Sequence, residues 1–139
     1  MIIMSSDDKR YVDVGSESIW YSILSTAEIR LAPMKKDICL ALDFLKSGKC
    51  SAQNAHETAR QINLIRDAFS QISPSNAVYN KDNPSLIAPW CSNLSDIVTS
   101  CGNLYTTSDG KDLLYEATCI LTYAHYMNID VMSEGWSER

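Results

Sequence analysis

Residues 51–72 read SAQNAHETARQINLIRDAFSQI. Within them Ala55, Ala59, Ile62, Ile65, Phe69 and Ile72 recur at steps of three and four, the spacing that lines one stripe of an α-helix. Ser51 stands where an N-cap hydroxyl meets the free N–H groups of a first turn, and Pro74 closes the segment. A helix with one apolar stripe must bury it against other elements, so this stretch commits the chain to a layered helical core.

The same spacing continues upstream. Pro33 pushes Ala32 into an extended shape and suits the first turn of a helix. Ile38, Ala41/Leu42 and Leu45 then recur helically up to Ser47-Gly48, where glycine supplies a left-handed cap. Further back, residues 10–14 alternate polar and apolar and end at Gly15, the pattern of a short strand. Ser16 and Glu17 before Ile19-Trp20-Tyr21 and Ile23-Leu24 predict a short capped helix. The alternation Thr26-Ala27-Glu28-Ile29-Arg30-Leu31 predicts a second strand returning to pair with the first.

Downstream, residues 73–93 hold Pro74, Pro84 and Pro89 with Asn76, Asn80, Asn83 and Asn93. That is a long irregular connection, and such loops carry binding surfaces or mobile segments. Trp90 inside it either plugs the core or anchors a partner. Leu94, Ile97, Val98 and Cys101 predict a short helix ending at Gly102. After the extended Tyr105–Ser108, either Ser108 or Asp109 caps a last long helix with Leu113, Ala117, Ile120/Leu121 and Ala124 inside. Residues 129–132 read as a final strand. The expected fold is mainly α, of α+β type. It is one domain over residues 1–139, with about five helices, a small peripheral sheet from short N- and C-terminal strands, and loose termini at 1–9 and 133–139.

Charge is distributed unevenly. Residues 1–70 contain nine acids and nine bases, so the whole net charge of −5 falls in residues 71–139. Within residues 82–138, Asp82, Asp96, Asp109, Asp112, Glu116, Asp130, Glu134 and Glu138 face the single base Lys111. A field of one sign repels nucleic acid and anionic membranes and draws in basic partners. Part of it also serves the last helix, whose dipole favours Asp109, Asp112 and Glu116 at its start. The expected partner-binding residues are Asp82, Trp90, Asp96, Tyr105, Asp109, Asp112, Glu116, Asp130 and Glu134. A solvated surface kept for solubility is the plainer reading of the same charge.

Catalytic constellations are not assembled in the sequence. It contains no P-loop, G-x-G-x-x-G, G-x-S-x-G or H-E-x-x-H. The five cysteines, Cys39, Cys50, Cys91, Cys101 and Cys119, form no C-x-x-C pair, and His56 and His125 are the only histidines. Cys39, Cys101 and Cys119 lie in apolar stretches, where reduced cysteines pack as small hydrophobes. Residues 107–112 look like the start of a phosphate or calcium loop but lack the downstream glutamate of an EF-hand. Asp109, Asp112 and Glu116 leave open a small carboxylate/metal-dependent hydrolase, and the acidic half leaves open an adaptor subunit docking a basic protein. No cofactor is expected. No signal peptide or membrane span is legible, so the expected location is the cytoplasm.

Gly15-Ser16-Glu17 before an aromatic-rich segment, the pair Pro89-Trp90, and the run Leu104-Tyr105-Thr106-Thr107-Ser108-Asp109-Gly110-Lys111-Asp112-Leu113 resemble a family of bacterial polymorphic-toxin immunity proteins. The family includes immunity proteins of contact-dependent growth inhibition. The resemblance covers most of residues 11–132; Cys91 stands where the family commonly has glycine after Pro-Trp. It implies a small cytoplasmic protein without catalysis that neutralises a cognate toxin domain by stoichiometric binding. Many such toxins are nucleases, basic because they hold a phosphate backbone. The resemblance and the charge together favour a transfer-RNA-cleaving RNase, its active site occluded by an acidic surface. The resemblance assigns no contact residue.

Overall fold

The structure, a computed structural model, describes residues 1–90 and 93–136. Its frame is a pair of antiparallel helices, α3 (Ala52–Phe69) and α4 (Leu113–Met127). Arg66 near the end of α3 reaches Asp112 at the start of α4 at 2.7 Å. At the other end the rings of His56 and His125 lie 4.7 Å apart. The stripes meet as their spacing predicts: Ala55, Ala59, Ile62, Ile65 and Phe69 are buried with Leu113, Ala117, Ile120, Leu121 and Ala124. Ile72 lies beyond the helix end and is half-buried.

The first strands are followed in the chain by α1 (Glu17–Arg30), capped by Ser16, whose hydroxyl accepts from Ser18 N at 3.2 Å. This helix overturns two expectations, since it is one long element and absorbs residues 26–30 that alternation assigns to a strand. The physical reason is its burial: residues 20–27 are all inside, so no apolar stripe distinguishes one face. Its polar members are satisfied at long range. Ser22 donates to Val78 O at 2.8 Å, Thr26 accepts from Val78 N at 2.9 Å, and Ser25 accepts from Lys81 N at 3.0 Å. Trp20 donates its indole N–H to Leu45 O at 2.8 Å and meets Phe44 edge-on at 5.4 Å.

The segment after Pro33 starts as a 3₁₀ turn (Ala32–Asp37), and the α-helix proper, α2, covers Cys39–Ser47. Gly48 then takes the left-handed cap at φ 72°. A side chain there would also strike the strand opposite, because an added Cβ would stand 2.2 Å from Ser133 Oγ.

Both termini differ from expectation. Residues 2–5 are not loose: β1 (Ile2–Ser5) is the central strand of a three-stranded antiparallel sheet, ordered β2-β1-β3, with β2 (Tyr11–Asp13) and β3 (Val131–Glu134) on its flanks. Ile3 pairs with Val12 on one side and Ser133 on the other. Ile3, Ser5, Val12 and Val131 point into the core. The C-terminal strand begins two residues later than the alternation indicates, and the chain stays held beyond it. Trp136 donates to Lys46 O at 2.9 Å, with its ring 6.2 Å from Tyr21. Ser137, Glu138 and Arg139 lie outside the described residues.

The expected helix at residues 94–101 is also absent from the structure. Asn103 accepts from Thr99 N and Ser100 N and donates to Ile97 O at 2.9 Å, drawing those backbone groups into a side-chain-tied turn. A 3₁₀ turn over Cys101–Asn103 is the helical remnant. The cysteines sort by place: Cys50 and Cys101 are buried, whereas Cys39 and Cys119 are exposed, contrary to the expected packing of Cys39 and Cys119. Burial pushes the Cys101 thiol up to about 11.

Candidate partner-binding surface

The acidic second half does not form one continuous face, because several of its carboxylates hold the fold. Asp112, not Ser108 or Asp109, caps α4: its Oδ1 accepts from Tyr115 N at 3.1 Å while Oδ2 takes the guanidinium of Arg66. Asp130 does for α3 what Ser51 does not. Ser51 has the extended N-cap backbone but makes no capping bond with its side chain. Asp130 Oδ1 accepts Ala52 N at 2.8 Å instead, a cap delivered from the far end of the chain. Asp82 accepts the phenolic O–H of Tyr21 and so ties the long loop to α1.

The two aromatic candidates are structural as well. Tyr105 is buried, with its hydroxyl 2.9 Å from that of Ser22 and 3.0 Å from that of Thr26. It therefore lies beneath the surface that the expected site required. Trp90 is half-buried against the core, edge-on to Tyr79 at 5.3 Å, and so plugs more than it projects. Cys91, which follows it, lies outside the described residues.

Four candidates remain at the surface. Asp109, beside the left-handed Gly110, is held below the usual carboxylate range by the Thr107 hydroxyl and then by Lys111 at 3.5 Å. Asp96, Glu116 and Glu134 make no side-chain hydrogen bond or ion pair among the described residues. Asp109 and Glu116 share a hollow of about 460 Å³ between β2 and the 107–111 turn, whose walls also carry Lys9, Arg10, Asp13 and Lys111. Three of those six side chains are basic, so the hollow is not a purely acidic cleft. Among the described residues no group of three His, Cys, Asp or Glu side chains stands close enough to hold a metal ion, and Asp112 is committed to Arg66.

Sequence reading passed over the outer face of the sheet. Register places Tyr11, Met4 and Met132 in one row and Asp13, Ile2 and Glu134 in the next. Tyr11 is 69% exposed and Met132 50% exposed. The apolar run Met1–Met4 is a weak signal of this face, too short for periodicity to separate strand from tail.

A family model, rather than any single feature of the surface, places the chain among the bacterial toxin immunity proteins. It belongs to the Immunity protein 70 family, whose family model matches residues 5–132. Its role is accordingly to neutralise a toxin by binding a cognate toxin protein. Neither a curated protein nor a solved structure matches it. Among the described residues, no helix is long and apolar enough to cross a membrane.

Proposed function

We propose that this chain neutralises its toxin stoichiometrically and without turnover, acting in the cytoplasm within a contact-dependent growth inhibition system. The toxin is a basic nuclease, with a transfer-RNA-cleaving RNase the favoured kind, and the bound chain occludes its active site. The observation that carries this reading is the net charge of −5, all of it in residues 71–139. A nuclease cleft is built to attract phosphates, and a surface that repels phosphates is drawn to such a cleft for the same reason. Asp96, Glu116 and Glu134 supply that attraction from the surface, with Asp109 beside Lys111, whereas the charge of Asp112 is offset by Arg66.

The test is co-expression with the toxin domain encoded beside the chain's gene. Growth is restored, an unrelated toxin domain still kills, and the pair co-elutes on size exclusion. Raising salt from low to physiological levels slows association by about tenfold or more. Protection without a complex overturns stoichiometric binding, and salt-independent association overturns the basic partner.

A further inference from the structure

Resting on that reading of a basic toxin partner, we infer that the outer face of the three-stranded sheet is where the toxin docks. Each strand of this sheet sends alternate side chains inward and outward. The inward set is buried core. The outward set is Tyr11, Met4 and Met132 in one row, and Asp13, Ile2 and Glu134 in the next. The centre of this face is apolar, two of its large side chains are half or more exposed, and its two carboxylates stand at the ends of one row, on either side of Ile2. An apolar centre with a charged rim is the anatomy of a protein-binding patch: the centre supplies affinity, and the rim supplies orientation and rate.

Charge decides between occupants. None of the six outward residues is basic. A second copy of this chain stacked on the face by a two-fold axis would bring carboxylates towards a face whose own outward residues offer no cation. A basic surface instead places its lysines and arginines over Asp13 and Glu134 and its apolar side chains over Ile2 and Met4. The face also adjoins the mixed-charge hollow, since Tyr11 and Asp13 line both. Tyr11 offers more than its ring there. Ser5 N donates to Arg10 O and Val14 N to Met1 O, so the backbone groups of Arg10, Val12 and Val14 face β1. Those of Tyr11 and Asp13 therefore point outward, and Asp13 O already accepts from Ser108 N at 3.0 Å. The N–H and C=O of Tyr11 remain open to a partner's backbone at the rim of the patch.

The experiment measures binding of the toxin domain encoded beside the gene to purified full-length variants, each checked by thermal melting. Tyr11 and Met132 are exposed, so Tyr11→Ala/Met132→Ala keeps the core intact. It weakens the complex by roughly thirtyfold or more, because these are the most exposed large side chains of the face. Glu134→Lys slows association by about tenfold and leaves dissociation less affected. Ile97→Ala and Tyr126→Ala, truncations of residues 79% and 77% exposed on other faces, leave affinity unchanged. A double variant that binds like the parent, or control truncations that do the greater harm, overturns the sheet face while leaving the immunity reading intact. A parent chain that protects without binding the toxin domain removes both, and a dimer of the parent abolished by the double variant assigns the face to a second copy instead.

Discussion

Helices α1 and α3 are neighbours in length and opposites in legibility. Both begin at a serine with extended backbone, though only Ser16 caps with its own hydroxyl, and both pack into the same core. In α3 the buried residues fall on one stripe, while Gln53, Asn54, Arg60 and Asn63 stay in solvent. In α1 residues 20–27 are buried without interruption, and Ser22, Ser25 and Thr26 are among them. Amphipathic periodicity therefore reports a helix that lies on a core and is silent about one that runs through it. The hydroxyls of α1 read as surface in the sequence because their partners, Val78, Lys81 and Tyr105, are more than fifty residues away.

This contrast can be broken most forcefully at Trp20. Its replacement by alanine removes a fully buried ring and orphans Leu45 O, so we expect a loss of about 3–5 kcal/mol in denaturant unfolding. A small loss there would show that α1 is not the centre of the core. Next comes Thr26→Val, which keeps the shape but strips the acceptor from Val78 N and a partner from Tyr105. We expect a cost of about 1–3 kcal/mol. The matching change on the open side of α3, Asn63→Ala, should stay within about 0.5 kcal/mol, and equal costs at the two sites would erase the distinction.

A third comparison concerns the cap of α3. Asp130→Ala should destabilise the fold by about 0.5–2 kcal/mol, whereas Ser51→Ala should be close to neutral, read as a shift in the denaturant midpoint at constant slope. The reverse order would return the cap to the local serine. The smallest expected effect is a pH dependence at Asp7. The Ser5 hydroxyl and then the Tyr123 hydroxyl, each at 2.6 Å, hold its carboxyl down to about 2 from an ordinary 3.8. A carboxylate depressed on folding stabilises above its ordinary value and loses that contribution as pH falls towards its folded value. Between pH 4 and pH 2 the parent should therefore lose stability more steeply than Asp7→Asn, as followed by urea midpoints across that range. Parallel curves would remove the linkage.

What could be read from the sequence follows the range of the forces involved. The helices at 39–47, 52–69 and 113–127 carry their own stripes, and the left-handed Gly48 closes one of them, so local pattern sufficed. The strand β1 has four residues and no turn signal before it. It exists because β2 and β3 give its backbone a ladder on both sides, which no window of neighbouring residues can reveal. The candidate surface shows the same limit. The excess of acids was legible by counting, but the division of those acids into caps and free carboxylates was not. Asp112 meets Arg66, Asp130 meets Ala52, and Asp82 meets Tyr21, all across large sequence separations. Tyr105, expected at the partner surface, is buried, and Trp90, which could plug the core or anchor a partner, packs against the core.

The central place of β1 has a consequence for when the protein comes into being during synthesis. A ribosome releases Ile2–Ser5 before Tyr11–Asp13, and β2 can pair with it at once. The other flank must wait for Val131–Glu134, which emerge more than 120 residues after β1. The same late stretch delivers Asp130 to the start of α3. Until then the nascent chain carries an open strand edge and, once α3 has formed, a helix without its cap, a state prone to wrong pairing. Closure is a single long-range event, slow in the way that distant contacts are slow. The three-stranded face is complete only after that event, so whatever binds it selects chains that already hold both flanks of β1.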